Sequence, residues 1–159
     1  MRSLIEYLKT EHVYCATAFS RTEQAVSGQQ WTDALAAFCD FEGAHMRHLI
    51  FEEDYLFPAI DAEADIVAGP TDLMRGDHGQ MRTWLRAMHD ALIDCDARHF
   101  GELAQRFRKL VTTHENVEES LLYPMVDRVL GAKALVILGA AREVAAARNR
   151  VQQQLHSQP

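Results

Sequence analysis

The chain has 159 residues and a formal net charge of −7, with 48% hydrophobic and 25% charged residues. That length sets the expectation of one domain over residues 1–159 with a real buried core, and the acidic balance without any basic run argues against nucleic acid or an anionic membrane as partner. No apolar run approaches the roughly 20 residues that a bilayer span needs, and the opening MRSLIEYLKTEH lacks the apolar core of a secretory signal.

Helical periodicity dominates the chain, and strand-like alternation is nearly absent. At the start of the first helix Ser3 and Glu6 fit a reciprocal cap, each side chain taking up the other residue's free backbone N–H; this helix ends before Ser27-Gly28. The second helix is expected from about Trp31 to Asp61. The third follows Gly69-Pro70, with Thr71 as its cap and Asp72 favouring the positive helix end, and stops near Asp96. The fourth runs from about Phe100 to Leu130, where Gly131 ends it, and a fifth covers about Ala132 to His156. Pro58 and Pro124 fall inside the second and fourth helices and are expected to kink them or end their regular parts. The fold class is therefore all-α, with four long helices over about 3–130 and an additional C-terminal helix.

A long internal repeat links the two halves. FEGAHMRHLIFEEDYLFPAID from Phe41 aligns with FRKLVTTHENVEESLLYPMVD from Phe107, sharing Phe, His, Glu-Glu, Leu, Pro and Asp. His12 and His78, His48 and His114, and Glu52 and Glu118 are all separated by the same 66 positions. The first two helices thus form one half and the next two the other, related by a pseudo-two-fold axis.

His48 and Glu52, like His114 and Glu118, are four residues apart and share one helix face. They interrupt apolar stripes. On the second helix the inward stripe reads Leu35, Phe38, Phe41 or Glu42, His45, His48, Glu52, then Tyr55 or Leu56; on the fourth it reads Leu103, Phe107, Leu110, His114, Glu118, Leu121, Met125. His12 and His78 interrupt the stripes of the first and third helices in the same way. A lone histidine on such a stripe is usually a hydrogen-bonded core residue. Six inward His and Glu related by one repeat are different, because two buried carboxylates without counter-charge repel, and cations between them remove the repulsion. His12, His48, Glu52, His78, His114 and Glu118 are therefore candidate metal ligands. Imidazole with carboxylate and no evident thiolate suits iron, manganese or zinc. Each metal can take two histidines and share both glutamates.

Other residues stand close to this set. His45, three before His48 on the same side, is a candidate base, proton relay or alternative ligand beside the site, or a hydrogen-bonded core or half-exposed histidine. Cys15, one turn from His12, is a small core residue or a lining residue. With Cys39 and Cys95 it forms no CxxC pair and no disulfide framework, so a reducing cytoplasm is the expected location. Glu53 and Glu119 point about 100° away from the ligand positions and are expected to be solvated.

At these residues the chain resembles the hemerythrin-like family, the HHE cation-binding domains. The matching motifs are Glu11-His12, His48-xxx-Glu52-Glu53 with Leu56-Phe57-Pro58, Asp77-His78, and His114-xxx-Glu118-Glu119 with Leu122-Tyr123-Pro124. The resemblance implies an up-down four-helix bundle around a non-haem centre of two iron ions, with an oxo or hydroxo bridge, held by the six residues. The oxygen-carrying members have a fifth histidine one turn before the histidine of the third helix. Here that position is Met74, a poor ligand for ferric iron and a candidate lining residue. The carriers also have an Asp five residues after the last ligand histidine, whereas Glu118 follows His114 by four. The set is more similar to that of the iron-centre repair proteins of the same superfamily, without their additional N-terminal domain.

The resemblance implies a di-iron protein that binds, senses or reacts with dioxygen, peroxide or nitric oxide, in a redox or stress response or in iron-centre repair. A reversible oxygen carrier ranks second. A zinc-stapled, non-catalytic interaction module ranks third. The Ala-rich face of the fifth helix (Ala140, Ala141, Ala145, Ala147) is the candidate docking or homodimer surface. No motif for an organic substrate, nucleotide or phosphate is present.

Overall fold

A computed structural model describes residues 3–64 and 69–143 of the chain. Helix α1, Leu4–Ser27, begins at the expected reciprocal cap: the Glu6 N–H donates to Ser3 Oγ at 3.1 Å, and the Ser3 N–H donates to Glu6 Oε2 at 2.8 Å. Helix α2, Trp31–Phe51, passes through a π-helical turn, Glu52–Leu56, into α3, Phe57–Ala64. Helix α4 spans Pro70–Ile93 and α5 Ala97–Val117; a second π-helical turn, Glu118–Leu122, leads from α5 into α6, Tyr123–Leu130. Gly131, at φ 47°, ends α6, and a further helix, α7, covers 133–143. The rest of the expected fifth helix, including Ala145 and Ala147, lies outside the described residues.

The first helix includes Ser27 and the second continues past Asp61 to Ala64, and at two further boundaries a polar side chain moves the helix end from where it was expected. Gly69, not Thr71, caps α4; Pro70 takes the first helical position, where its missing N–H costs nothing, and the Thr71 hydroxyl instead donates to Asp61 Oδ1 at 2.6 Å. Asp96 does not close the third long helix but caps α5, accepting the His99 N–H at 2.9 Å, so α5 starts three residues before Phe100.

Consecutive helices pack antiparallel, α1 on α2 and α4 on α5, and the two pairs meet through α2–α4, α1–α5 and α3–α6. The result is an all-α up-down bundle with α7 added. No described helix is long and apolar enough to cross a membrane. Two apolar clusters fill the bundle. One holds Phe19, Phe38, Phe41, Met81, Leu85, Phe100 and Phe107. The other holds Leu4, Leu8, Leu56, Phe57, Met74, Tyr123 and Val126, and α7 packs on it through Leu138 and Ala141. Between the clusters lies a belt of buried polar residues.

Neither internal proline ends its helix. Pro58 lacks an N–H, and its ring would strike the carbonyl four residues back in a regular helix. The chain opens by one residue instead: the Phe57 N–H reaches back to the Glu52 carbonyl, and the Tyr123 N–H to the Glu118 carbonyl. Both wide turns start on a candidate ligand. The extra residue shifts the inward register, so Leu56 and Leu122 are fully buried while Tyr55 and Leu121 are 40% and 46% exposed. Likewise Val126, not Met125, takes the buried place. Leu122→Ala will therefore cost about 2–5 kcal/mol in urea unfolding, and Leu121→Ala less than about 0.5 kcal/mol. A regular helix predicts the reverse order.

Candidate metal centre

The belt is built from the six sequence candidates. Helix α1 supplies His12, α2 His48, α4 His78 and α5 His114; Glu52 and Glu118 open the two π-helical turns. All six are buried, and Glu52, Glu118 and His78 have no exposed surface. The Nε2 atoms of His12 and His48 are 3.0 Å apart, and those of His78 and His114 3.1 Å. Each carboxylate spans both pairs. Glu52 Oε1 lies 3.3 Å from His48 Nε2, and its Oε2 lies 3.4 Å from His78 Nε2. Glu118 Oε2 lies 3.3 Å from His12 Nε2, and its Oε1 lies 3.2 Å from His114 Nε2. Two overlapping groups result, His12–His48–Glu52–Glu118 and Glu52–His78–His114–Glu118, with donor atoms within 4.8 Å of one another in each.

This spacing fits ligation. Two donors about 2.1 Å from one cation and at right angles to it stand about 3.0 Å apart. Hydrogen bonding does not account for the arrangement, since none of the four carboxylate oxygens of Glu52 and Glu118 has a hydrogen-bond partner among the described residues. Oxygens buried in that state are costly, and cations remove the cost. Burial, and then the charge of Glu118, holds the Glu52 carboxyl well above its ordinary range. Burial, and then His12, keeps His48 well below the usual imidazole value, and burial with His114 lowers His78 to about 4. Both rings are thus neutral at physiological pH, as a ligating imidazole must be.

The halves differ in what supports the ligands. His78 Nδ1 lies 2.9 Å from Glu53 Oε1, and Arg82 grips both oxygens of Glu53, at 2.9 and 2.7 Å. His114 Nδ1 lies 3.3 Å from Asp77 Oδ2. An Nδ1–H donating to a carboxylate turns the Nε2 lone pair into the site and makes it more basic. In the other half His12 Nδ1 has no partner, and Glu119, the repeat mate of Glu53, pairs with Lys9 at 2.8 Å. The expectation that Glu53 is solvated is therefore corrected. The long side chain reaches round to α4, and Arg82, four residues after His78, was the sequence signal for it. Glu53→Gln will weaken cation binding by about 10–100-fold in competition with a chromophoric chelator, and Glu119→Gln will leave it nearly unchanged.

Aromatic rings flank the site in matched positions. Phe57 stacks on His78 with centroids 5.5 Å apart, and its repeat mate Tyr123 stacks on His12 at 6.2 Å. The Tyr123 hydroxyl lies 3.3 Å from His12 Nε2, and burial raises its pKa, keeping it protonated. Tyr123 therefore touches the site through its hydroxyl as well as its ring. Cys15 is buried, and burial pushes its thiol up to about 12, so it stays a neutral lining group outside the ligand set. Met74 is buried in the apolar cluster beside α7. His45 is buried near the six but belongs to neither group.

A helical bundle with this buried His–Glu belt is a cation-binding fold. The family model described as hemerythrin HHE cation binding domain matches residues 3–126, and the chain belongs to that family. No curated protein and no solved structure matches the chain.

Proposed function

We propose that the chain is a di-iron protein, a single domain acting in the cytoplasm, whose centre takes up a small ligand such as dioxygen, peroxide or nitric oxide. His12 and His48 would hold one iron, His78 and His114 the other, and Glu52 and Glu118 both. The observation that carries this reading is the sharing of the carboxylates, each directing one oxygen to each histidine pair. Four protein donors per iron leave positions open, which a reactive site needs and a purely structural one avoids. When bound, such a pair of ions supplies Lewis acidity and redox equivalents at those positions.

The role of the protein's own groups is to hold the His48 and His78 imidazoles neutral, to aim His78 and His114 through Glu53 and Asp77, to keep bulk water out with two apolar clusters, and to offer the Tyr123 hydroxyl beside His12. The five-histidine carrier pattern is disfavoured, because Met74 puts a thioether into the apolar cluster where that histidine would stand. Sensing, reaction or repair remains the better reading. Protein produced with iron is expected to hold about two irons per chain, with an optical spectrum that bleaches with dithionite and changes with nitric oxide. Fewer than about one metal per chain, or zinc alone with a silent spectrum, overturns it.

A further inference from the structure

His45 is 5% exposed, and its Nε2 has no hydrogen-bond partner among the described residues. Its ring packs against Phe41 and Phe107, with centroids 5.5 and 5.3 Å away, which fix the imidazole without satisfying it. A buried polar nitrogen left in that state calls for a partner not supplied by the protein.

Two cavities meet at this ring. The inner one, about 10 Å³, is bounded by the candidate ligands His12, His48 and His114. That volume is near the minimum for one water-sized molecule. The outer one, about 80 Å³, is lined by the exposed residues Ala16, Arg108 and Thr112, between α1 and α5. Cys15, His45, Val111 and Glu115 line both. The repeat explains why the opening lies on this side. At the 66-residue offset, Cys15, Ala16 and Thr112 correspond to Met81, Arg82 and Met46, whose larger side chains stand at those places in the other half, and His45 corresponds to Val111.

We propose that these cavities are the entry path to the centre, and that His45 Nε2 hydrogen-bonds a small ligand of the peroxide class lying beside His12 and His48. The inference rests on the metal-centre reading above. A path walled by an imidazole, a thiol and a carboxyl favours a ligand that forms hydrogen bonds over one that forms them weakly. His45 acts here as a positioning residue.

The test uses azide, a small anion that accepts hydrogen bonds, and the iron-loaded protein, with metal content measured for each variant. His45→Leu is expected to weaken azide binding by about tenfold or more while keeping its irons, and His45→Gln to restore most of the affinity. Nitric oxide affinity is expected to change less than about threefold in His45→Leu, because nitric oxide accepts hydrogen bonds weakly. Ala16→Trp, at the exposed mouth, is expected to slow azide association about tenfold in stopped flow without changing its equilibrium affinity. Unchanged azide affinity in an iron-loaded His45→Leu protein overturns the role of His45, as does loss of metal from that variant, which makes His45 a ligand. An unchanged association rate in Ala16→Trp overturns the path. Wild-type protein that holds no metal overturns the metal-centre reading and this inference with it, whereas the other outcomes leave that reading standing.

Discussion

In metal-free protein, Glu52→Gln will raise stability, and the gain will be larger at pH 7 than at pH 4. Glu52 is fully buried, neither of its oxygens has a hydrogen-bond partner, and it faces the equally buried Glu118. Its carboxyl is held well above the ordinary value by burial and then by Glu118, so the folded chain keeps a proton that the unfolded chain releases near pH 4.5. A group raised in this way contributes its full stability below the unfolded pKa and loses it as pH rises through the folded one. Gln does not titrate, so the gap between the proteins opens above pH 4.5 in favour of the variant. Removing one of two facing buried carboxylates has an expected size of roughly 1–3 kcal/mol. With metal present the sign reverses. The amide cannot replace a shared anionic ligand, so metal content will fall from about two per chain to one or fewer, and the variant will become the less stable protein. Urea unfolding with and without a chelator, together with metal analysis, reads both signs. Destabilisation under both conditions would mean that Glu52 serves packing and not cations.

Removing the cations has the second large effect. A cation present at a thousandfold excess over its dissociation constant stabilises the fold by about 4 kcal/mol, and two such sites by about 8. In a chain of this size each kcal/mol moves the midpoint by about 2–4 °C, so chelation will lower Tm on the order of 15–30 °C. The helices will persist at 25 °C, because the two apolar clusters on either side of the belt do not involve the cations. Far-UV circular dichroism is therefore expected to stay helical in the chelated protein while its thermal transition shifts. An unshifted transition would mean that nothing ligates in the belt of the native protein.

Most of the architecture was legible in the chain because a buried charge is a break in a pattern. His12, His48, His78 and His114 interrupt apolar stripes at one repeat offset, and no packing requirement produces such a coincidence. The reciprocal cap at Ser3–Glu6 was legible because both partners announce it, whereas the one-sided cap of Asp96 on the His99 N–H was not. The inward register beyond Glu52 and Glu118 was not. Pro58 and Pro124 announce a disturbance, but whether a proline kinks, ends or widens a helix depends on whether neighbouring helices need it to continue. Here α3 and α6 pack on each other, so the helices continue and the turn widens. Glu53 was misread for a related reason. Its partner lies on α4, and which helix lies beside α2 is a tertiary fact that intrahelical angles do not contain. The unequal support of the two histidine pairs was equally hidden, because Glu53 and Glu119 are identical repeat mates. The difference comes from the residue four after the histidine, Arg82, which grips Glu53, in one half and Ala16, which cannot grip Glu119, in the other.

That inequality has a functional reading. With cations bound, the half with Glu53 and Asp77 behind its histidines would offer the more basic ligands and be the firmer anchor. The half with Tyr123 and the cavity at His45 is less constrained and more accessible.

Anomalous diffraction from crystals of protein produced with iron would reveal whether two cations sit in this belt and share both carboxylates. Two peaks are expected, one about 2.0–2.2 Å from the Nε2 atoms of His12 and His48 and the other at that distance from those of His78 and His114, with an oxygen of Glu52 and of Glu118 on each. A single peak, no peak, or peaks away from these six residues would contradict the shared two-cation centre.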